Sequence, residues 1–335
     1  MTIPIRTLGT GGPQVSTIGL GAMGMSDLYG PADHDESIAT LHAALDAGLN
    51  LVDTADFYGS GANELLIGEA LRSRRREDVV LSVKFGSRRT PDGAFQPVPY
   101  DVSPEAVKDR LAYSLRRLGT DYIDIYRPAR LNPAIPVAET VGALEEMRQA
   151  GWIRHIGLSE VSAETLRQAA AVAPISDVQI EYSLLSRGPE RELIPALREL
   201  GVGLTAYGVL SRGLLSGHWS ASRELSGNDF RAHSPRFQGE NLEANLRLVD
   251  ALGRVAQRLG ATTSQIAIAW VAAQGDDIVP LVGARRRERL TESLGAVALT
   301  LDAATLAEIE AVVPPGAASG ERYAAPLMAT LDSER

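Results

Sequence analysis

Eight short runs rich in β-branched residues, a helix-periodic stretch after each, and the lack of any Pro/Ser-rich linker in 335 residues predict an α/β fold: a single closed (β/α)8 TIM barrel. The strand-like runs are 15–21, 49–54, 79–84, 122–126, 153–158, 177–181, 202–206 and 277–282. The helical stretches are 35–47, 63–74, 104–118, 137–150, 163–172, 190–200, 263–274 and 285–294. Gly48, Gly119, Gly151 and Gly201 stand just past four of these helices, where a left-handed cap suits glycine, and the next strand follows. A doubly wound open sheet is the rival, but it seldom needs eight regular units. The whole chain, 1–335, therefore reads as one barrel domain. Two parts exceed the pattern: a loop after the seventh strand, 209–239, rich in Gly, Ser and Arg, and a tail from 301 onward. The loop and residues 313–335 are expected to cover the barrel mouth.

Composition narrows the chemistry. The 33 basic and 42 acidic side chains leave a net charge of −9, so no nucleic-acid or membrane partner is expected, and an anionic ligand needs a local basic site. A hydrophobic fraction of 44% with 22% charged residues suits a globular chain with a large core. There is no cysteine, which excludes disulfides, cysteine-held zinc, iron-sulfur clusters and thiol nucleophiles. His34, His42, His155, His218 and His233 show no metal-ligand spacing, so no metal is expected. Residues 1–15 carry one Arg and no apolar signal core, and no apolar run of about 18 residues follows, which reads as a soluble cytoplasmic protein. Of the 33 basic residues only Lys84 and Lys108 are lysines.

In such a barrel the chemistry sits at the C-terminal strand ends. Those ends hold Gly21 and Met23, Asp53, Lys84, residues 126–129, Ser159 and Glu160, Gln179, Tyr207, and residues 283–285. Asp53 and Lys84 close neighbouring strands, and Tyr58 lies five residues past Asp53, where its hydroxyl can reach the ammonium. A lysine charge beside a tyrosine favours phenolate, so a lowered Tyr58 pKa and a general acid effective near neutrality are expected. The bland alternative is a structural ion pair at the rim beside an unrelated loop tyrosine.

Residues 279–292 form a strand, a turn at Gly283 and a helix start carrying Arg285 and Arg289, the form of a phosphate site. The plainer reading is a solvated charge run, as at 72–78 with Glu77 and Asp78. The segment from Gly19 through Gly21 to Gly24 matches G-x-G-x-x-G, but loop rather than helix follows, so a Rossmann domain is rejected. It fits a first strand whose glycines let a flat ligand approach the backbone. No Walker loop, H-E-x-x-H or G-x-S-x-G occurs.

Asp53 with Tyr58, Lys84, Ser159-Glu160, Gln179 with Glu181-Tyr182-Ser183, Ala206-Tyr207 and residues 283–292 together resemble the aldo-keto reductases, in order and spacing, from Leu8 to about Val313. The resemblance implies a barrel enzyme that binds NADP(H) across its mouth and reduces a small-molecule aldehyde or ketone, reversibly, as a monomer or homodimer. It assigns Tyr58 as proton donor, Lys84 as its partner and Asp53 as the anchor of that lysine. Ser159 and Gln179 would hold the nicotinamide carboxamide, with Glu160 where the family often has Asn, and the ring would stack on Tyr207. Residues 208–213, with Gly208, Leu210, Arg212 and Gly213, are similar to the loop that covers the pyrophosphate, although Gly208-Val209 replaces the usual Ser-Pro. Gly283, Arg285, Arg289 and Glu292 would hold the adenosine 2′-phosphate and adenine, which favours NADP(H) over NAD(H).

One departure stands out. The family's catalytic histidine at the end of the fourth strand is Ala129 here, with Arg130 after it. Branches similar to pyridoxal reductases share this Ala-Arg pair. Arg127, Arg130, a water or a polar group on the substrate could take over the missing hydrogen bond. Candidate substrate contacts are Tyr29, Phe57, Arg127 and Ala129. Two other readings stand beside the reductase: an NADP(H)-binding sensor that has lost turnover, motivated by Ala129, and a Schiff-base isomerase or lyase using Lys84, disfavoured because Asp53 keeps that lysine charged.

Overall fold

The computed structural model describes residues 3–334 apart from 27, 92, 94, 97–99 and 226–228. Eight parallel strands close a barrel in chain order: β1 (Gly19–Gly21), β2 (Leu51–Ala55), β3 (Val80–Phe85), β4 (Ile123–Pro128), β5 (Ile153–Ser159), β6 (Ile175–Glu181), β7 (Gly203–Tyr207) and β8 (Ile278–Gly283). Closure comes from β8 against β1, which pairs Leu281 with Gly19 and Gly283 with Gly21.

The outer ring is made by α1 (His34–Asp46), α2 (Ala62–Leu71), α3 (Pro104–Leu118), α4 (Val137–Gln149), α5 (Ala163–Ala170), α6 (Leu193–Leu200), α7 (Gly239–Arg258), α8 (Thr263–Ala272) and α9 (Arg287–Leu294), with α10 (Ala303–Val312) behind them. Side-chain caps at Asp33, Ser103, Ser162, Thr262 and Asp302 satisfy N-terminal amides of five of these helices. Gly48, Gly119, Gly151 and Gly201 all have left-handed backbones, as expected of helix-ending glycines.

Two helices, α7 and α10, were not foreseen. The first expected strand also divides. Gln14–Ser16 pairs antiparallel with Ile5–Thr7, and only Gly19–Gly21 joins the barrel. The break is fixed by Ser16, whose hydroxyl donates to the Ile18 carbonyl at 2.7 Å while its amide donates to Asn50 Oδ1 at 2.7 Å. This hairpin plugs the barrel floor: Leu8 and Val15 are fully buried against Leu51, Ile125, Val279 and Leu281.

Above that apolar plug the interior turns ionic. Strand alternation sends Asp53, Ser82, Arg127, Asp177 and Thr205 inward. Arg127 donates to Asp177 Oδ2 at 2.8 Å and to Ser82 Oγ at 3.0 Å, and Ser82 donates in turn to Asp53 Oδ2 at 2.8 Å. Thr205 donates to Asp177 as well. Gly157 makes the room: a Cβ there would lie 2.9 Å from Asp177 Oδ1 and 3.1 Å from Arg127 Cζ. Arg127, expected as a substrate contact, is fully enclosed in this layer beneath the mouth. No substrate can reach it.

Candidate active site

At the C-terminal ends of β2 and β3, Lys84 Nζ bonds Asp53 Oδ1, and both side chains are buried. The other Asp53 oxygen accepts from Ser82 Oγ and from Gln179 Nε2, each at 2.8 Å. A carboxylate held by two neutral donors and an ammonium has no freedom left, so it fixes the lysine in place. Directly after β2 the chain makes a tight 3-10 turn, Tyr58–Gly61, with positive φ at Gly59 (54°), Ser60 (54°) and Gly61 (95°). Glycine removes the Cβ clash at two of the three positions. The turn lays Tyr58 over Lys84, whose Nζ is 5.1 Å from the ring centroid.

The expected lowering of the Tyr58 pKa is overturned. Burial, and then the Asp53 carboxylate, push its hydroxyl well above the ordinary tyrosine range, against a smaller opposing pull from Arg130. The same burial lowers Lys84, which Asp53 counteracts. With burial and the carboxylate both acting against ionisation, the phenol keeps its proton.

Ala129 continues β4 one residue past Pro128 and packs with Ala55, Phe57, Tyr58 and Met23. Its backbone amide donates to the Phe85 carbonyl at 2.7 Å, so the strand register sets the Ala129 methyl in the apolar group that includes the tyrosine. Arg130 follows on the cleft floor and is half-buried. Phe57 meets Tyr58 edge-on at 4.9 Å. Burial also pushes Tyr29, on the opposite wall, up to about 12.

From this floor a cleft of about 980 Å³ runs outward. Gly21, Met23, Gln179, Tyr207, Gly208, Leu210, Arg212, Gly213, Gly283, Arg285, Arg289 and Glu292 all line it. Loop 209–239 contributes Trp219, Arg223, Phe230 and Arg231, and the tail contributes Tyr323, Leu327, Thr330 and Leu331. At the far end Arg285 donates to the carbonyls of Tyr29, Gly30 and Pro31, at 3.0, 3.3 and 3.0 Å, tying the loop after β1 to β8. Arg289 bonds Glu292 at 3.0 Å. The α9 N-terminus is already partly satisfied, because Arg287 N donates to Glu36 Oε1 at 2.9 Å. The basic character of this end thus rests on the guanidinium groups more than on the helix terminus.

Ser159 and Glu160 stand apart from the other expected cofactor residues: both are buried behind the cleft wall. Glu160 has a left-handed backbone, φ 53°, and its carboxylate is fully engaged. It accepts from Arg322 through both oxygens at 2.8 and 2.6 Å, from Tyr207 Oη at 2.6 Å, from Ser333 Oγ at 2.7 Å and from the Glu181 amide at 3.1 Å. The Arg322 guanidinium holds it far below the usual carboxylate range. Where an amide contact to a cofactor was expected, this residue instead clamps the C-terminal tail. Glu181 does similar work, pairing with Arg212 at 3.0 Å and Arg236 at 3.5 Å. The tail thereby brings Tyr323 into the cleft, 2.8 Å from Tyr207 Oη. Arg322, Tyr323 and Glu181 were not foreseen as parts of the site.

A closed parallel barrel with a polar cleft at one mouth, a tyrosine on a fixed ion pair and guanidinium groups at the cleft's far end is the architecture of a (β/α)8 enzyme. The chain belongs to the aldo/keto reductase family, which matches residues 17–314, and is an oxidoreductase of that family. It is 40% identical over 323 residues to "Probable aldo-keto reductase 1" of Glycine max, covering 96% of this chain and 91% of that one. It is 38% identical over 327 residues to "Aldo-keto reductase yakc [NADP(+)]" of Schizosaccharomyces pombe, covering 96% and 95%. Among solved structures, a glycerol dehydrogenase from Gluconobacter oxydans superposes with a TM-score of 0.82 at 29% identity, over 94% of this chain and 96% of that one. An aldo-keto reductase from Bacillus halodurans in its holo form gives 0.76 at 29%, over 93% and 96%. Among the described residues no helix is long and apolar enough to cross a membrane.

Proposed function

We propose that the protein reduces an aldehyde or ketone to the alcohol, reversibly, with NADP(H) and with Tyr58 as general acid. The observation that carries this reading is Tyr58 packed on the Lys84–Asp53 pair at the floor of an arginine-ended cleft. The donor set suits the cofactor. Gly21 and Gly283 lie side by side with no side chain to obstruct a flat ring, and Gln179 has an amide oxygen left after bonding Asp53. Tyr207 offers a ring face, and Arg285 and Arg289 suit a 2′-phosphate that NAD(H) lacks. The yeast relative's name, with its NADP(+), supports the same choice.

The bound nicotinamide supplies or receives a hydride. Everything else falls to this chain's groups. Tyr58 Oη gives its proton to the carbonyl oxygen in reduction and takes it back in oxidation. Lys84, held by Asp53, fixes the ring and compensates charge as the proton leaves. Gln179 and Ser82 hold Asp53. Loop 209–239 and the tail wall the cleft and limit water.

The test is consumption of NADPH absorbance with a panel of aldehydes and ketones, pyridoxal included, beside Tyr58→Phe. A loss of about 10²-fold or more in kcat is expected for the variant; retention of full rate would remove Tyr58 from the role. The methyl of Ala129 against Tyr58 favours one second reading, an NADP(H)-binding sensor, which predicts NADPH binding with no carbonyl turned over.

A further inference from the structure

Arg130 differs from three buried arginines, Arg212, Arg236 and Arg322, each of which is paired with a carboxylate. Arg212 and Arg236 pair with Glu181, and Arg322 with Glu160. Among the described residues, Arg130 has no carboxylate within ion-pair distance. Its guanidinium meets only neutral oxygens: the Ala129 carbonyl at 2.6 Å, Ser159 Oγ at 3.4 Å, Tyr207 Oη at 3.3 Å and Tyr323 Oη at 3.4 Å. The three hydroxyl contacts lie at the long edge of hydrogen bonding. Glu160 is nearest in charge, but the Tyr207 hydroxyl stands between and the Arg322 fork already occupies both of its oxygens. A half-buried planar fork without a counter-ion is costly in isolation and is matched by an incoming planar anion.

Its place says which anion. Arg130 adjoins Ala129, whose methyl packs on Tyr58, so the guanidinium opens on the reacting end of the cleft, away from the basic end at Arg285 and Arg289. An oxygen anion held there lies beside the carbonyl that Tyr58 protonates.

We propose that Arg130 is the substrate's anion receptor, and that the enzyme acts on carbonyl compounds bearing an anionic oxygen two or three bonds from the carbonyl carbon, a 2-oxo carboxylate or an aldehyde with an ortho phenolate. The inference rests on the carbonyl-reductase reading above and deepens it. The step keeps its balance: the carbonyl carbon gains a hydride from the reduced nicotinamide, the oxygen gains the Tyr58 proton, and Arg130 forms no covalent bond. The receptor also gives the Ala129 position a physical account. Where a histidine would orient the carbonyl oxygen directly, the fork orients the substrate through its neighbouring anion, and the methyl leaves the space.

The experiment compares kcat/KM with NADPH across matched pairs: pyruvate against butanedione, and ionised 5-nitrosalicylaldehyde against 2-methoxy-5-nitrobenzaldehyde, with 4-formylbenzoate as an aldehyde whose charge is remote. The wild type is expected to favour the near-anionic member of at least one pair by roughly 10- to 100-fold, and the pair that responds identifies carboxylate or phenolate. Arg130→Met is expected to erase that preference, and Arg130→Lys, which keeps the charge but loses the fork, to retain part of it. A merely structural Arg130 would lower both members of a pair together and leave their ratio intact. No preference in the wild type, or an unchanged ratio in Arg130→Met, overturns the proposal while leaving carbonyl reduction standing. Wild-type enzyme that consumes NADPH with no carbonyl at all, neutral or charged, overturns the underlying reading and the receptor with it.

Discussion

The clamp between Glu160 and Arg322 allows a sharp test with Glu160→Gln, which keeps the shape and removes the charge. Neither side chain is more than 7% exposed. Deleting one partner of a buried, doubly bonded pair costs about 3–5 kcal/mol, mostly by leaving the other charge unpaired. Here Arg322 retains Glu334 at 2.6 Å and Glu181 at 3.8 Å, so the loss is cut to about 2–3 kcal/mol. At about 1.5 °C per kcal/mol for a chain of 335 residues, the melting temperature at pH 7 falls by about 3–5 °C. The sign of the pH dependence follows from the depressed Glu160 pKa. Its stabilisation is complete above the unfolded carboxylate value, about 4.3, and is lost as pH falls from there toward the folded value. The gap between wild type and variant, read by circular dichroism melts from pH 8 to pH 4, is therefore expected to stay constant down to about 5 and narrow below it. Trypsin supplies a local readout, since the buried Arg322 peptide becomes cleavable once the clamp opens. A gap under about 1 °C at pH 7, or one that widens in acid, would refute the assignment of the clamp.

Two further outcomes follow from the same geometry. In the ionic layer, Arg127→Met alone strands Asp177 and is expected to cost about 3–5 kcal/mol in urea unfolding, whereas Arg127→Met with Asp177→Leu recovers most of it; equal losses in both would refute pairing as the source. At the outer cleft, replacing Arg285 and Arg289 together by Ala is expected to weaken NADPH binding by about 10- to 100-fold with little change for NADH, measured by quenching of protein fluorescence.

Much of this was legible in the sequence, for reasons that differ by residue. Asp53, Tyr58 and Lys84 could be read because they come from adjacent strands and one short loop, so topology alone brings them together. Gly48, Gly119, Gly151 and Gly201 could be read because a left-handed cap leaves a local signature. Arg127 could not. Alternation sends both Arg127 and Ala129 inward, but depth along the barrel axis is not written in a period of two, and two residues separate an enclosed ion pair from the mouth. The Tyr58 shift failed on the same point, since burial outweighs the neighbouring charge and burial depth was unknown. The tail contacts were out of reach, with Arg130 and Tyr323 separated by 193 residues and Glu160 and Arg322 by 162, with no periodic signal to join them. By contrast, α7 has a local signature: Leu242, Asn245, Val249, Leu252 and Val255 form a helical stripe that lies outside the eight repeating units.

The ionic layer under the mouth bears on how such a protein can change over generations. Gly157, Asp177, Arg127, Ser82 and Asp53 form a chain in which each member's shape or charge presumes the next, and its last link holds Lys84. No single replacement within the chain is neutral, because a methyl at 157 collides, a lost charge strands its partner, and a lost hydroxyl uncouples core from site. Lineages are expected to inherit these five positions as a block or exchange them as a block. The layer between the barrel floor and the cleft then constrains which mouths selection can explore.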